Sequence, residues 1–353
     1  MKKKEFHNLF KNSISELSEV ITMDELVNGV ISKLKGGKNI KGEVKEFRAM
    51  FYETIIELND ISTTTNGGII NAINKFKKEN GSNYGVLSGL TKLDKITHGF
   101  QKSELIVIGG RPAMGKSALT ETMILNMGLT DQKVGCFSFK NESELISKRL
   151  ISMVVGKFYY KYIKLKEEDF ADRFNDDEYL MKNKLDLDMM FEAPIFIEDI
   201  KTTTIEELIS KALLMKTNNK VDIIFIDNLQ LISHDDDALS EAEKNKYIAF
   251  SLKKIARVLK IPIVVLSEVS RTLELRGGDK RPMLCDIRSN EEIEFLADSV
   301  FFIYRDEYYG INENNNEEPT NGVAELIFVK HKNGELKTTK IHFNPEIRHF
   351  SNL

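Results

Sequence analysis

The sequence predicts an α/β fold, with a mostly parallel central sheet covered by helices and a small helical N-terminal region ahead of it. Two observations carry that expectation. From Tyr84 onward, short β-branched runs alternate with amphipathic stretches. One such run, Leu105 to Gly109, leads directly into a glycine-rich loop and then a helix-like segment. Ahead of Tyr84 the chain is rich in Lys, Glu and Asn, has no Pro and shows no clear strand.

The N-terminal elements come first. Leu26, Val30, Ile31 and Leu34 share one helix face, and Phe47, Phe51, Ile55 and Leu58 share another, with Gly36-Gly37 as a break between them. Ser62 to Gly68 (STTTNGG) reads as a linker. Ile69, Ile70, Ile73 and Phe76 then make a short amphipathic helix that ends near Asn80-Gly81. That helix either packs within the small helical region or docks on another subunit. The expected organisation is a helical domain over 1–61, a linker with a docking helix over 62–84, and one large domain over 85–353.

The strands follow. They are expected at Leu105–Gly109, Val134–Phe139, Ile195–Glu198, Val221–Asp227, Ile261–Ser267, Ser299–Tyr304, Val323–Lys330 and Lys337–Phe343. Several are continuously apolar, the pattern of strands covered on both faces, and helix-like stretches separate them. One helix start carries a capping box, Thr204-Ile205-Glu206-Glu207. The last two strands have no room for a crossover helix. Lys332-Asn333-Gly334 between them reads as a hairpin turn. Asn312 to Asn321, acidic and Asn-rich, reads as a surface loop.

Composition excludes several classes. The 353 residues carry 50 Lys+Arg against 54 Asp+Glu, a formal charge of −4, so no global basic field draws in nucleic acid or anionic lipid. A local basic groove is compatible with that balance. Two cysteines, Cys136 and Cys285, are too few for a disulfide scaffold or a cysteine-ligated zinc site. The histidines are scattered without zinc-site spacing. The longest apolar runs fall far short of the roughly 20 residues a membrane span needs. Met1-Lys2-Lys3-Lys4 is not followed by an apolar stretch, so it is no secretory signal. The expectation is a soluble cytoplasmic protein with reduced thiols and no membrane partner.

Gly110-Arg111-Pro112-Ala113-Met114-Gly115-Lys116-Ser117 matches G-x-x-x-x-G-K-[ST] in full. It lies between a strand and the helix-like run starting at Ala118, which is the setting the motif requires. Glycines let backbone N–H groups wrap phosphates, and the helix N-terminus adds positive potential. Lys116 is the expected phosphate ligand, and Ser117 the expected Mg²⁺ ligand. Val221 to Asp227 is an apolar strand ending in a carboxylate, the usual second support for Mg²⁺.

These residues resemble the motor domain of DnaB-type replicative helicases, which has a RecA-like core. The resemblance runs from Gly85 to the C-terminus. Gly85 to Asp94 resembles the family's entry segment, and Gly110 to Ser117 its Arg-Pro-x-Met-Gly-Lys form of the P-loop. Ile226-Asp227-Asn228-Leu229-Gln230-Leu231 is similar to its second motif, and Leu266 to Arg271 sits where its phosphate-sensing strand ends. Arg281 to Arg288 leads into the DNA-facing loop. Tyr304 to Tyr309, Lys330 to Gly334 and Phe343 to Glu346 follow in order. The resemblance implies a ring, a hexamer of this chain, that uses ATP and Mg²⁺ and grips single-stranded DNA in its channel. It also places a docking linker helix at 69–79. Residues 1–61 do not resemble the family's N-terminal domain, which normally receives a helicase loader or primase.

Four positions depart from the family. Its catalytic Glu, in a Phe-Ser-Leu-Glu stretch, is Lys140 here, with Glu142 as the candidate substitute. Its phosphate-sensing Gln is Glu268, so Lys140 and Glu268 are expected to have exchanged charge and to pair in the site. Its arginine finger aligns with Lys332, with Lys330 as companion; lysine keeps the charge without the planar fork. The DNA loop keeps Arg288 but carries Glu291 where the family has Gly. The aromatic group Phe158, Tyr159, Tyr160 and Tyr162 either stacks bases or packs as one helix face.

Two readings of function follow from the resemblance. One is an ATP-dependent ring helicase in DNA replication, with Glu142 or Glu268 orienting water and Lys330 and Lys332 acting in the neighbouring site. The other is a catalytically impaired ATP-binding protein that joins, blocks or scaffolds another helicase's ring.

Overall fold

The computed structural model describes residues 84–155, 184–234, 238–287, 291–313 and 317–353. The expected helical domain at 1–61, the linker helix at 69–79, the aromatic group at 158–162 and Arg288 lie outside the described residues.

Residues 83–205 and 221–353 form one compact unit. In chain order the described elements begin with helix α1 (Thr91–Thr97), strand β1 (Leu105–Gly110) and helix α2 (Lys116–Gly128). Strand β2 (Val134–Ser138), helices α3 (Ser143–Val155) and α4 (Lys184–Glu192) and strand β3 (Ile195–Asp199) come next. A two-residue strand β4 (Thr203–Thr204) precedes helix α5 (Ile205–Asn219), which starts where the Thr204 capping sequence predicts. Then come β5 (Ile223–Asp227), a short β6 (Ile232–Ser233), helix α6 (Glu241–Leu259) and β7 (Ile263–Glu268). Helix α7 (Glu291–Leu296) and strands β8 (Ser299–Tyr304), β9 (Val323–His331), β10 (Thr338–Asn344) and β11 (His349–Asn352) follow.

Nine strands make one sheet in the order β11-β10-β9-β8-β1-β7-β5-β2-β3. From β8 to β3 every neighbour pair is parallel, and β9, β10 and β11 are added antiparallel. The apolar runs explain the central placement. Every residue of β1, β2, β5 and β8 is buried, so these strands are covered on both faces. In β10, Ile341 and Phe343 are buried while His342 between them is exposed, the one-sided pattern of an antiparallel strand.

α2 is buried along most of its length, and Leu119, Met123 and Met127 join Ile106, Ile108, Phe225 and Val264 in the main core. α6 buries one stripe, Ile248, Ala249, Leu252, Ile255, Ala256 and Leu259. It starts with a capping box in which the Glu243 amide donates to Ser240 Oγ and Ser240 N–H to Glu243 Oε2, at 3.3 and 2.9 Å. That box is not among the sequence expectations.

Two expectations shift in detail. The hairpin joins β9 to β10, but the connection runs over 332–337, because the last residues of β9 pair with β8 beyond the end of β10. β11 is an addition to the expected strands; it pairs with Ile341–Asn344 of β10. Glu313 and Pro319 bridge within the expected loop. Among the described residues, no helix is long and apolar enough to cross a membrane.

Candidate functional site

The parallel strands all end at one edge of the sheet, and the phosphate loop leaves β1 there. The loop needs its second glycine. Gly115 has φ +104°, and a Cβ on it would sit 2.9 Å from Phe350 Cζ. Met114 is buried beneath the loop. α2 begins at Lys116, so the amides of its first turn have no carbonyl partner within the helix and face whatever the loop encloses. Ala118, where the sequence sets the start of the helix, is buried in that first turn. Lys116 Nζ donates to the Gly110 and Arg111 carbonyls at 2.6 and 3.1 Å, which holds the ammonium against its own loop. Burial, and then the nearby charge of Lys140, lower the Lys116 pKa to about 8, against the opposing pull of Glu268 and Asp227.

Ser117 Oγ donates to Asp227 Oδ2 at 2.7 Å. Asp227 is the last residue of β5, two strands from β1, and is 8% exposed. A hydroxyl and a buried carboxylate held together beside a phosphate loop are the donor set for Mg²⁺ and its waters. The residues therefore fit a nucleotide triphosphate with its metal.

The expected charge exchange is present as a contact. Lys140, just beyond β2, donates to Glu268 Oε1 at 2.9 Å. Glu268 ends β7 and lies opposite Gly110 in the β1–β7 register. Gln230 fixes the strand end: its Oε1 accepts from the Glu268 amide at 3.2 Å and its Nε2 donates to Ser267 Oγ at 3.0 Å. Glu142, the other candidate for orienting water, is exposed just before α3.

Three contacts lie beyond the sequence expectations. Arg111 leaves the loop to pair with Glu274 at 2.7 Å, and Tyr309 OH donates to the same Oε1 at 3.2 Å. Arg305 stacks over the Phe343 ring at 4.3 Å and reaches the Ala113 carbonyl at 3.4 Å. Glu121, one turn into α2 from Ser117, is 4% exposed and pairs with Arg149 at 2.7 Å. Its burial raises its pKa despite that arginine. Arg149 in turn reaches Asn141 Oδ1 at 3.5 Å, next to Lys140. A lone Glu within the helix-like run Ala118 to Met127 is the only advance sign of this cluster.

Lys330 and Lys332 lie elsewhere. Lys330 Nζ donates to the Glu294 and Phe295 carbonyls at 2.9 and 2.7 Å, closing the end of α7. Lys332 sits 3.5 Å from Asp298, whose carbonyl accepts the Lys332 amide and whose own amide donates to the Leu105 carbonyl. Lys332 is thus level with the first residue of β1, whereas the loop springs from the last. At about 3.3 Å per residue the separation along the strand is about 17 Å, beyond the reach of a lysine side chain.

Residues 85–352 match the family model of the DnaB-like helicase C terminal domain. The chain belongs to the DnaB-like helicase family. It is 32% identical over 345 residues to the replicative DNA helicase DnaB of Rickettsia conorii, covering 89% of this chain and 67% of that one. Against the DnaB of Haemophilus influenzae it is 34% identical over 292 residues, covering 80% and 58%. Among solved structures it resembles an isolated ATPase domain, with a TM-score of 0.72 and 29% identity over 83% of this chain and 99% of that one. It also resembles a DnaB-like replicative helicase studied for its interactions with primase, with a TM-score of 0.69 and 27% identity over 99% and 78%. The mostly parallel sheet is that of the RecA-like helicase domain.

Proposed function

We propose that the chain is the motor subunit of an ATP-dependent replicative DNA helicase, working in the cytoplasm as a ring, a hexamer, on single-stranded DNA. The observation that carries this reading is the intact phosphate loop with its Ser117–Asp227 pair, folded at the strand edge of a DnaB-like domain. Lys116 and the first amides of α2 hold the phosphates. Ser117 and Asp227 would hold Mg²⁺, which would supply positive charge against the phosphates. Glu268, or Glu142 at the start of α3, orients water. Lys332, beyond reach of its own chain's loop, and its companion Lys330 act in a neighbouring copy's site. Arg288 holds a DNA phosphate, and the helix expected at 69–79 ties neighbours together. A loader or primase would be received outside the motor domain.

A second reading is favoured by one observation. The place where a carboxylate would activate water is held by Lys140, and Glu268 already accepts its charge. A nucleotide-binding ring component with slow turnover, joining another helicase, has this arrangement.

Steady-state ATP hydrolysis with and without single-stranded DNA, beside Lys116→Ala and a nucleotide titration, tests both. The motor reading predicts DNA-stimulated hydrolysis that the substitution abolishes. Binding without turnover gives the second reading, and failure to bind nucleotide overturns both.

A further inference from the structure

The charge-exchanged pair has a geometry that a merely neutralised substitution would not need. Lys140 follows β2, and its ammonium reaches to the end of β7, passing the β5 strand that carries Asp227. It therefore spans the strand edge above the Ser117–Asp227 contact. The pair is also half open: the two side chains are 43% and 21% exposed. An ion pair with that much solvent contributes little to holding the fold. Its partners are arranged from the Glu268 side. The Glu268 amide is pinned by Gln230, and Asn228 Nδ2 lies 3.5 Å from the oxygen that Lys140 contacts. Glu268 is thus a fixed carboxylate, and Lys140 is the long, solvated arm that rests on it.

We propose that Lys140 reads the third phosphate of a nucleoside triphosphate, leaving its resting partner Glu268 to do so. This deepens the nucleotide-binding reading above and rests on it. Lys116 and the α2 amides serve the phosphates that a diphosphate and a triphosphate share. The extra phosphate of a triphosphate extends toward the β5 and β7 strand ends, where Glu268 repels it and Lys140 attracts it. When Lys140 turns from Glu268 to the phosphate, the carboxylate keeps Asn228 beside it. No bond is made or broken in this step; one charge-assisted hydrogen bond replaces another. The consequence is selectivity: the site distinguishes triphosphate from diphosphate through the Lys140 side chain.

The test is the ratio of ATP to ADP affinity, measured by titration on the full chain. Lys140→Ala removes the arm and leaves Glu268 without it, so the ratio falls by about tenfold or more, the effect of losing one charged hydrogen bond. Lys140→Arg keeps the charge and retains most of the ratio. Glu268→Gln releases the arm and removes the repulsion, so the ratio rises. Position 140 is exposed, and thermal melting of each variant verifies the fold. If Lys140→Ala weakens ATP and ADP by the same factor, or leaves both unchanged, the proposal is overturned. Lys116→Ala separates that failure from failure of the underlying reading. Loss of both nucleotides in that variant, with the Lys140→Ala ratio unchanged, overturns only the role of Lys140. A wild-type chain that binds neither nucleotide overturns the nucleotide-binding reading itself.

Discussion

At one end of β1, Lys116 and Lys140 stand near each other with Glu268 and Asp227 as the nearby acids, and burial lowers the Lys116 pKa to about 8. At the other end, Lys253 and Lys332 share Asp298, whose carboxylate also accepts the Leu105 amide at 2.9 Å. Both ends are lysine-rich. The difference lies in what the lysines face. The first set lies where the phosphate loop leaves β1, beside the first amides of α2, which have no carbonyl partner within the helix. The second set is satisfied within the chain, except that Lys332 remains 66% exposed and so available to a neighbour. A lysine beside helix amides that lack an intrahelical partner is placed for a ligand, and one that shares a buried carboxylate with a strand amide belongs to a structural joint.

That contrast can be broken experimentally, starting with the largest effect. Asp298→Ala should cost about 3–5 kcal/mol in urea denaturation, because it leaves a lysine and the Leu105 amide without their shared acid in a buried joint. Lys116→Ala should instead lower nucleotide affinity and turnover by about 10²–10³-fold, as for loss of one preorganised donor, with little change in melting temperature. Equal stability losses in the two variants would erase the distinction. Gly115→Ala should destabilise by about 1–2 kcal/mol in the same denaturation assay, from its positive φ and the close Phe350 ring, and should weaken nucleotide binding as well.

The smallest effect concerns pH. Burial, with a contribution from His342, holds the His349 pKa below its ordinary 6.5. The unfolded chain therefore takes up that proton first as pH falls. The neutral ring's contribution is full above pH 6.5 and is lost progressively below it. Melting temperature should drop on acidification below pH 6.5, and His349→Asn should make that drop shallower.

The two ends of β1 also differ in how well the sequence announces them. All eight expected strands form, and for β1, β2, β5 and β8 the continuous apolar runs leave no alternative burial. The phosphate loop is readable because its chemistry confines it to a fixed spacing. The Lys140–Glu268 contact is readable because the resemblance sets two residues of opposite charge at the same strand edge. β11 is not, since Phe350 is a single apolar residue among polar neighbours and the strand exists only through pairing with β10. Glu121 escapes notice for a related reason. A lone acid on a helix looks solvated until the fold shows it buried against Arg149. The joint at Asp298 brings together Leu105, Lys253 and Lys332, far apart in the chain, and no local pattern encodes it.

In the motor reading, the two ends of β1 serve one site only across two copies of the chain, Lys116 from one and Lys332 from the next. Mixing Lys116→Ala with Lys332→Ala subunits and measuring ATP hydrolysis with single-stranded DNA tests this most directly. Each variant alone should be nearly inactive. In a mixed ring, some interfaces join the intact Lys116 of one variant to the intact Lys332 of the other, so activity should return on mixing. A mixture no more active than the two variants measured separately, under conditions where the wild-type chain turns over, would contradict this arrangement.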